Sequence, residues 1–369
     1  MRVLVAMSGG VDSSVAAARL VEQLGPGRVV GATLKLWGGS SDSGCCSVAD
    51  VDDARQVADQ LGLVHHVFNF AAEFEEKVVG PYVAGHAQGS TPNPCIECNR
   101  HLKFDRLLGR ARALGFDAVA TGHHARCVVT GDGRFRLCRG ADPLKDQSYV
   151  LAMLGQDQLA RTLFPVGEMT KGQVRDEAHR LGLRTAAKPD SQDVCFIRSD
   201  EGRHGFLADR VDLHPGRLVD HRTGADLGAV RAVELVTVGQ RRGMGHGDDG
   251  RRRFVTEVDV PGRRVRVGPP EAAHAGSVRL HTVTWVDDDP TAPDGNGSPG
   301  AEDANGSEPV AVMAQCSAHG RAVPAAVVAD GEGLWVRFTV PQRRIAPGQT
   351  VALYDPGRPD QVVGSGIAR

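Results

Sequence analysis

The chain has 369 residues, 41% of them hydrophobic and 24% charged, and a net charge of -2. This is the composition of a soluble globular protein, and the length calls for two or three domains. No stretch approaches the ~18 consecutive apolar residues of a membrane span, and Ser8, Gly9, Gly10 and Asp12 break the N-terminal apolar run before a signal-peptide core can form. Membrane and secreted classes are therefore excluded, no membrane partner is expected, and the cytoplasm is the expected location. Charge excludes less. Residues 287–308 hold seven acidic residues and no basic one, which leaves the rest of the chain at +5 against the total of -2. A mildly basic body of that kind suits nucleic acid and an ordinary solvated surface equally.

In chain order, residues 2–7, "RVLVAM", read as a short buried strand, and 12–24, "DSSVAAARLVEQL", as a helix stopped by Gly25, Pro26 and Gly27. "RVVGATLKLW" predicts a second strand, "VADVDDARQVADQLGL" a second helix and "VHHVFNF" a third strand. Strand and helix alternate, so the expected class is α/β with a doubly wound parallel sheet. "FDRLLGRARALG" adds a helix and "FDAVATGHHARC" a strand ending in a glycine turn. Near residue 200 the pattern changes to short strands and glycine turns around "VELVTVGQRRGMGHG". After "VGPPEA", the stretches "SVRLHTVTWV", "AAVVADGEGLWVRFTV" and "GQTVALYD" predict a small antiparallel β-barrel. Three domains are expected, 1–200, 201–270 and 271–369, with the acidic segment 287–308 as a disordered hairpin insert in the barrel.

The chemistry begins at "SGGVDSS", between the first strand and the first helix. In an open parallel sheet ligands bind at the carboxyl ends of the strands. Glycines there let the backbone approach an anion, and the helix N-terminus offers free N–H groups and a positive dipole end. Ser8, Ser13 and Ser14 add hydroxyl donors. Asp12 has the wrong charge to meet phosphate and suits Mg²⁺ held by that phosphate. A plain glycine turn with Asp12 and Ser13 capping the helix is the competing reading. The stretch is neither the Walker pattern nor the spaced-glycine dinucleotide fingerprint. It resembles the pyrophosphatase-type (PP-loop) SGGxDS element of ATPases that cleave ATP to AMP and pyrophosphate, among them GMP, NAD and asparagine synthetases and several tRNA-modifying enzymes. That resemblance implies ATP as cosubstrate and adenylation of a carbonyl or carboxylate oxygen, and leaves the nucleophile open.

Eight cysteines are spread through the chain, at 45, 46, 95, 98, 127, 138, 195 and 316. In a reducing compartment such thiols are buried, catalytic or metal-bound more often than paired in structural disulfides. "TPNPCIECNRHLKF" (91–104) places Cys95 and Cys98 just after two prolines, and the expectation is a loop that presents its side chains. Cys195 follows in "KPDSQDVCFI". Cys127, Cys138 and Cys316 fall in strand-like stretches and read as buried small hydrophobes.

Taken in order, "SGGVDSS", "TPNPxxxCN", "ATGHHAR", "KDQSYVL", "PDSQDVCFI", "VGQRRGMG" and the closing "SGIAR" resemble the tRNA-specific 2-thiouridylases over nearly the whole chain. The resemblance implies a tRNA-uridine 2-sulfurtransferase that adenylates the 2-carbonyl oxygen of the wobble uridine and then replaces it with sulfur. The partners implied are tRNA and a cysteine desulfurase or sulfur-relay protein. It implies that Ala6, Met7, Ser8, Gly9, Gly10, Val11, Asp12 and Ser13 bind ATP, with Leu34 and Gly122 near the adenine and ribose. Asn93, Pro94 and Cys95 match the segment that meets the target uridine. His123, Lys145, Asp146, Gln147 and Gln349 match tRNA contacts, as does the central domain, while His124 reads as a structural neighbour. Cys45 and Cys46 match a "CCS" element without an assigned role. Two departures stand out: Cys95 replaces the aspartate of the familiar branch, and the barrel's arginine-rich stretch becomes "SAHGRAVPA".

Two sulfur routes stay open. In one, Cys195 carries a persulfide and Cys98 is the nucleophile, releasing sulfide or closing a disulfide with Cys195. In the other, Cys95, Cys98 and Cys195 ligate three irons of a [4Fe-4S] cluster whose fourth iron binds sulfide. The first is preferred because the resemblance covers Cys98 and Cys195 more firmly than Cys95. A rival enzyme class, a metabolic ligase that uses ammonia as nucleophile, would need no cysteine in the "PNP" segment.

Overall fold

The computed structural model describes residues 1–36, 47–190, 194–197, 202–292, 308–330 and 333–369. Cys45 and Cys46 lie outside them. The expected first strand is β1, Val3–Ala6, followed by α1, Val11–Leu24, then β2, Val29–Lys35, α2, Val48–Gln60, β3, Val64–Asn69, and β4, Ala118–Thr121. The hairpin of β5, Ala125–Val129, and β6, Phe135–Arg139, precedes a short β7, Thr162–Leu163. The sheet runs β3-β2-β1-β4-β7 and every pairing in it is parallel. Its central strand is apolar on both faces, as a parallel strand covered by helices must be: Val3, Leu4 and Val5 are fully buried. One core cluster joins Val3 and Val5 to Val15, Ala16 and Ala17 of α1, to Ala54, Val57 and Ala58 of α2, and to Val174 and Ala178 of the helix Lys171–Arg180. Small side chains on α1 let its backbone lie close to the sheet.

Two compact units result: Met1–Gly80 with Pro94–Gly202 and Asp360–Val363, and Pro81–Asn93 with Arg203–Pro359 and Gly364–Arg369. In the second, β8, Gly216–Asp220, β9, Asp226–Val230, β10, Phe254–Asp259, and β11, Arg264–Gly268, form a sheet ordered β10-β11-β8-β9 over a core of Leu218, Val233, Val255, Val265 and Val267. The expected barrel closes from β12, His274–Trp285, β13, Val310–Gln315, β14, Val323–Asp330, β15, Gly333–Arg343, β16, Thr350–Tyr354, and β17, Val362–Ala368, in the order β12-β15-β14-β13-β16-β17.

Two expectations change. The segment 91–104 is no loop beyond Asn93: a helix opens at Pro94 and continues through a π-helical stretch, Cys98–Leu107, to Ala113. Proline is at home in the first turn of a helix, where its missing N–H has no intrahelical partner to lose, so the second proline starts a helix and Cys95 and Cys98 ride on it. The acidic segment is also no hairpin insert. β12 pairs with β15 and β17, and β13 with β14 and β16, so 287–308 connects two strands that are not neighbours. Its residues 293–307 lie outside the described residues.

In the second unit the "TPN" stretch is tied to the barrel. Thr91 N–H donates to the Pro347 carbonyl at 2.7 Å, and the Gln349 amide donates to the Thr91 carbonyl. Thr91 is 6% exposed, so losing that donor strands a buried acceptor. Gln349→Ala is expected to lower stability by about 1 kcal/mol in a urea titration with unchanged m-value.

Candidate active site

β1 has β2 on one flank and β4 on the other. Strand order reverses there, and in open α/β sheets the carboxyl ends of the strands at such a point, here β1 and β4, are where ligands bind. The loop leaving β1 is pinned at its root: Met7 N–H donates to the Ala32 carbonyl at 2.8 Å, and the buried Thr33 hydroxyl donates to the Met7 carbonyl at 2.7 Å. Ser8 N–H donates to Ser13 Oγ at 3.1 Å, and that hydroxyl donates to the Gly10 carbonyl at 3.1 Å. Ser8 and Ser13 thus brace the turn from inside.

Two glycines let neighbouring backbone close on this turn. Gly9 has φ +72° and a Cβ there would stand 2.2 Å from the Asp50 carbonyl oxygen at the start of α2. Gly122, just past β4, would place a Cβ 2.5 Å from Ser13 N and 2.7 Å from Asp12 C. Asp50 is itself held by Ser47 in a capping box and by Lys188 Nζ at 2.6 Å.

Asp12, in the first turn of α1, carries the charge of the site. Lys171 Nζ lies 2.7 Å from each of its oxygens, and His124 Nε2 donates to Oδ1 at 3.1 Å. Burial alone would raise its pKa, but the bonds from His124 and Lys171 outweigh this and hold the carboxyl below its ordinary value. The ion pair is therefore intact above the ordinary carboxylate range and is lost only as pH falls through the lowered value.

The "KDQ" stretch reaches the same place. Gln147 N–H donates to the His124 carbonyl and His124 N–H to Gln147 Oε1, both at 2.9 Å. Lys145 Nζ lies 2.8 Å from Asp190. Asp146 is turned inward: its carboxylate accepts from Gly140 N–H, Ser148 N–H, the Ser148 hydroxyl and Arg139. His123, matched to an RNA contact by resemblance, is 9% exposed, its ring lies near Phe104 and Phe164, and burial keeps it neutral by lowering its pKa well below the usual value. Leu34 is buried on β2, and Cys98 is 8% exposed where the helix from Pro94 turns π-helical. Asn93 and Gln349 belong to the second compact unit.

Three family profiles cover most of the chain: "tRNA methyl transferase HUP domain" matches residues 1–199, "tRNA methyl transferase PRC-barrel domain" 204–269 and "Aminomethyltransferase beta-barrel domain" 276–368. Proteins named tRNA-specific 2-thiouridylase MnmA align over nearly their full length. Those of Renibacterium salmoninarum, Chloroflexus aggregans and Salinispora arenicola are each 44% identical, across 96%, 100% and 99% of this chain and 93%, 98% and 98% of theirs. The chain belongs to the tRNA-specific 2-thiouridylase family. The N-terminal sheet, the middle sheet and the closed barrel correspond in turn to the three matched ranges.

Within that family frame the structure gathers Asp12, Gly122, Lys145 and Gln147 from the expected set, and adds three groups without an expected site role, of which His124 reads in the sequence as a structural neighbour. His124 touches Asp12 directly, and Lys171 and Asp190 complete the charge cluster. Asp190 lay in a quoted motif without a role. Lys171 follows a helix cap and carries no local signature, so only the fold brings it to residue 12. Among the described residues no group of three or more His, Cys, Asp or Glu side chains converges to hold a metal ion. Also among the described residues, no helix is long and apolar enough to cross a membrane.

Gly122→Ala is expected to displace the first turn of α1, costing about 1–3 kcal/mol of stability and at least tenfold in activity, because backbone on both sides has no flexible end to yield. Thermal melting and steady-state assay of the purified variant check both.

Proposed function

We propose that this protein is an ATP-dependent tRNA-uridine 2-sulfurtransferase that acts on the wobble uridine in the cytoplasm. The observation that carries the reading is the braced glycine loop at the carboxyl ends of β1 and β4, with Asp12 at its mouth, in a chain 44% identical to named 2-thiouridylases. The loop's free N–H groups and the dipole end of α1 receive the phosphates of ATP. Mg²⁺ keeps most of its waters and takes one or two carboxylates beside phosphate oxygens. The part-exposed Asp12 carboxylate fits that demand, and the ion would offset phosphate charge.

The chemistry needs activation because the uridine 2-carbonyl oxygen is a poor leaving group. Its attack on the α-phosphorus of ATP expels pyrophosphate and turns that oxygen into part of AMP. The terminal sulfur of a Cys195 persulfide, loaded by a cysteine desulfurase or relay protein, then attacks C2, and AMP departs with the original oxygen. The Cys98 thiolate attacks the Cys195 sulfur, breaking its bond to the transferred atom. The products are 2-thiouridine and a Cys98–Cys195 disulfide, which a thiol reductant reopens. Two thiols suffice, so Cys95 is a bystander. The thiols and the phosphate-type loop suit sulfur transfer, whereas methyl transfer, the activity in two profile descriptions, would call on neither. Reaching a stacked anticodon base requires flipping it out of the stack. Of the 43 basic residues 37 are arginine, a side chain whose fork matches phosphate oxygens.

Mass spectrometry of tRNA incubated with enzyme, ATP, Mg²⁺, a desulfurase and cysteine tests the reading: a 16-dalton gain at the wobble uridine is expected, and unmodified tRNA under conditions where a relative is active would sink it. Cys98→Ser and Cys195→Ser are each expected to abolish thiolation while leaving ATP binding within about twofold, whereas Cys95→Ala retains activity. Affinity for tRNA should fall steeply between 50 and 200 mM salt, by roughly tenfold or more; a flat response would remove the role given to the arginines.

A further inference from the structure

The charges at the mouth of the glycine loop come from well beyond its motif. Lys171 opens the helix Lys171–Arg180, behind the Thr170 capping box, and its backbone N–H donates to Asp142 Oδ2 at 2.9 Å. Its ammonium sits 2.7 Å from Asp12 and 2.9 Å from Asp190 Oδ1. Asp190 in turn takes Lys145 Nζ at 2.8 Å and Arg175 Nη2 at 2.7 Å. The lysine side chain is only 12% exposed, whereas those of Asp12 and Asp190 are 31% and 34% exposed. The cation is thus held inside while its partners stay open to solvent.

A largely buried ammonium between two part-exposed carboxylates adds a positive charge to the anion site, beside the Mg²⁺ proposed at Asp12. A phosphate drawn to the N-terminus of α1 meets the Asp12 carboxylate in the same turn and is repelled by it. An ammonium in contact with that carboxylate lessens the repulsion. A lysine carries three N–H groups, which here meet the two Asp12 oxygens and Asp190, so a phosphate oxygen can be met by releasing one of the two contacts to Asp12. Carboxylates on either side and burial of the side chain leave it little freedom to lose when a ligand arrives.

We propose that Lys171 binds the polyphosphate of ATP and that Asp190 is its positioning residue. This rests on the ATP reading above. The ammonium keeps Asp190 and trades one Asp12 oxygen for a phosphate oxygen. Because Asp190 also holds Lys145, the same carboxylate links the nucleotide end of the site to a residue matched with tRNA.

The test compares ATP with AMP, which lacks the outer phosphates, by isothermal titration of the full chain. Lys171→Ala is expected to weaken ATP at least about tenfold while AMP affinity stays within about twofold, with Lys171→Arg recovering part of the loss and the steady-state change falling on KM for ATP. Asp190→Asn, which keeps the shape and loses the charge, is expected to weaken ATP about three- to tenfold with AMP again unmoved. A merely structural ion pair would lower the melting temperature and weaken ATP and AMP alike, and that result overturns the proposal. If Lys171→Ala does not fold, unchanged ATP affinity in both Lys171→Arg and Asp190→Asn overturns it. Wild-type protein that binds no ATP takes down the ATP reading and this inference together.

Discussion

The site rests on a wedge of backbone. The first turn of α1 lies between the Asp50 carbonyl on one side and the chain just past β4 on the other, both closer to Gly9 and to residues 12 and 13 than a side chain would permit. Close approach of that kind leaves the turn one position. With the root of the loop fixed by Ala32 and Thr33, Asp12 meets His124 and Lys171, and the hydroxyls of Ser13 and Ser14 turn back to the Gly10 carbonyl.

The segment 184–190 reinforces both sides of this wedge. Arg184 and Lys188 bind Asp53, and Lys188 also binds Asp50, so the start of α2 is anchored from there. Two residues on, Asp190 gathers Lys145, Lys171 and Arg175. Burial opposes the charge on Asp190, but the hydrogen bonds and charges of Lys145 and Lys171 prevail and hold its pKa far below the ordinary value. Lys188 likewise keeps its charge against the cost of burial, its pKa raised by Asp50 and Asp53. A short stretch of chain therefore clamps the helix that packs on Gly9 and supplies the carboxylate that orders the cations facing Asp12. Displacing it would disturb the loop from two directions at once.

The parts of this arrangement legible in the sequence are those with a local cause. The alternation of apolar runs and helical periods marked the parallel sheet, the glycine loop marked the end of β1, and alternating strands with glycine turns marked the barrel. Pro94 misled because proline both disfavours helix in the residue before it and suits the first turn of a helix that follows, and the former was given the greater weight. The acidic connection misled for another reason: a polar segment between two strand-like stretches looks like a hairpin, and only the barrel order shows that β12 and β13 are not paired. Lys171 was illegible as a site residue because it has no periodic or motif signal, and His124, though inside the "ATGHHAR" stretch, read as a structural neighbour because nothing local ties it to residue 12. Their roles follow from a contact across 159 residues in one case and 112 in the other.

The thiols sort by the same logic of surroundings. Burial pushes Cys127 and Cys138 up to about 11 and Cys316 up to about 12. At pH 7 a thiol with a value near 11 is ionised in roughly one molecule in ten thousand, and the thiolate is the reactive form. Each is a poor nucleophile at that pH; Cys138 is buried, as expected of a small hydrophobe in a strand, whereas Cys127 and Cys316 are only half-buried. Cys95 and Cys98 stand on consecutive turns of a helix that begins at Pro94, in the compact unit that holds the glycine loop and also Cys127, Cys138 and Cys195. In the reaction proposed above, an adenylated base is a short-lived electrophile that any nearby nucleophile, water included, can discharge. Thiols that their surroundings keep protonated compete poorly for it, which narrows the sulfur atoms able to react.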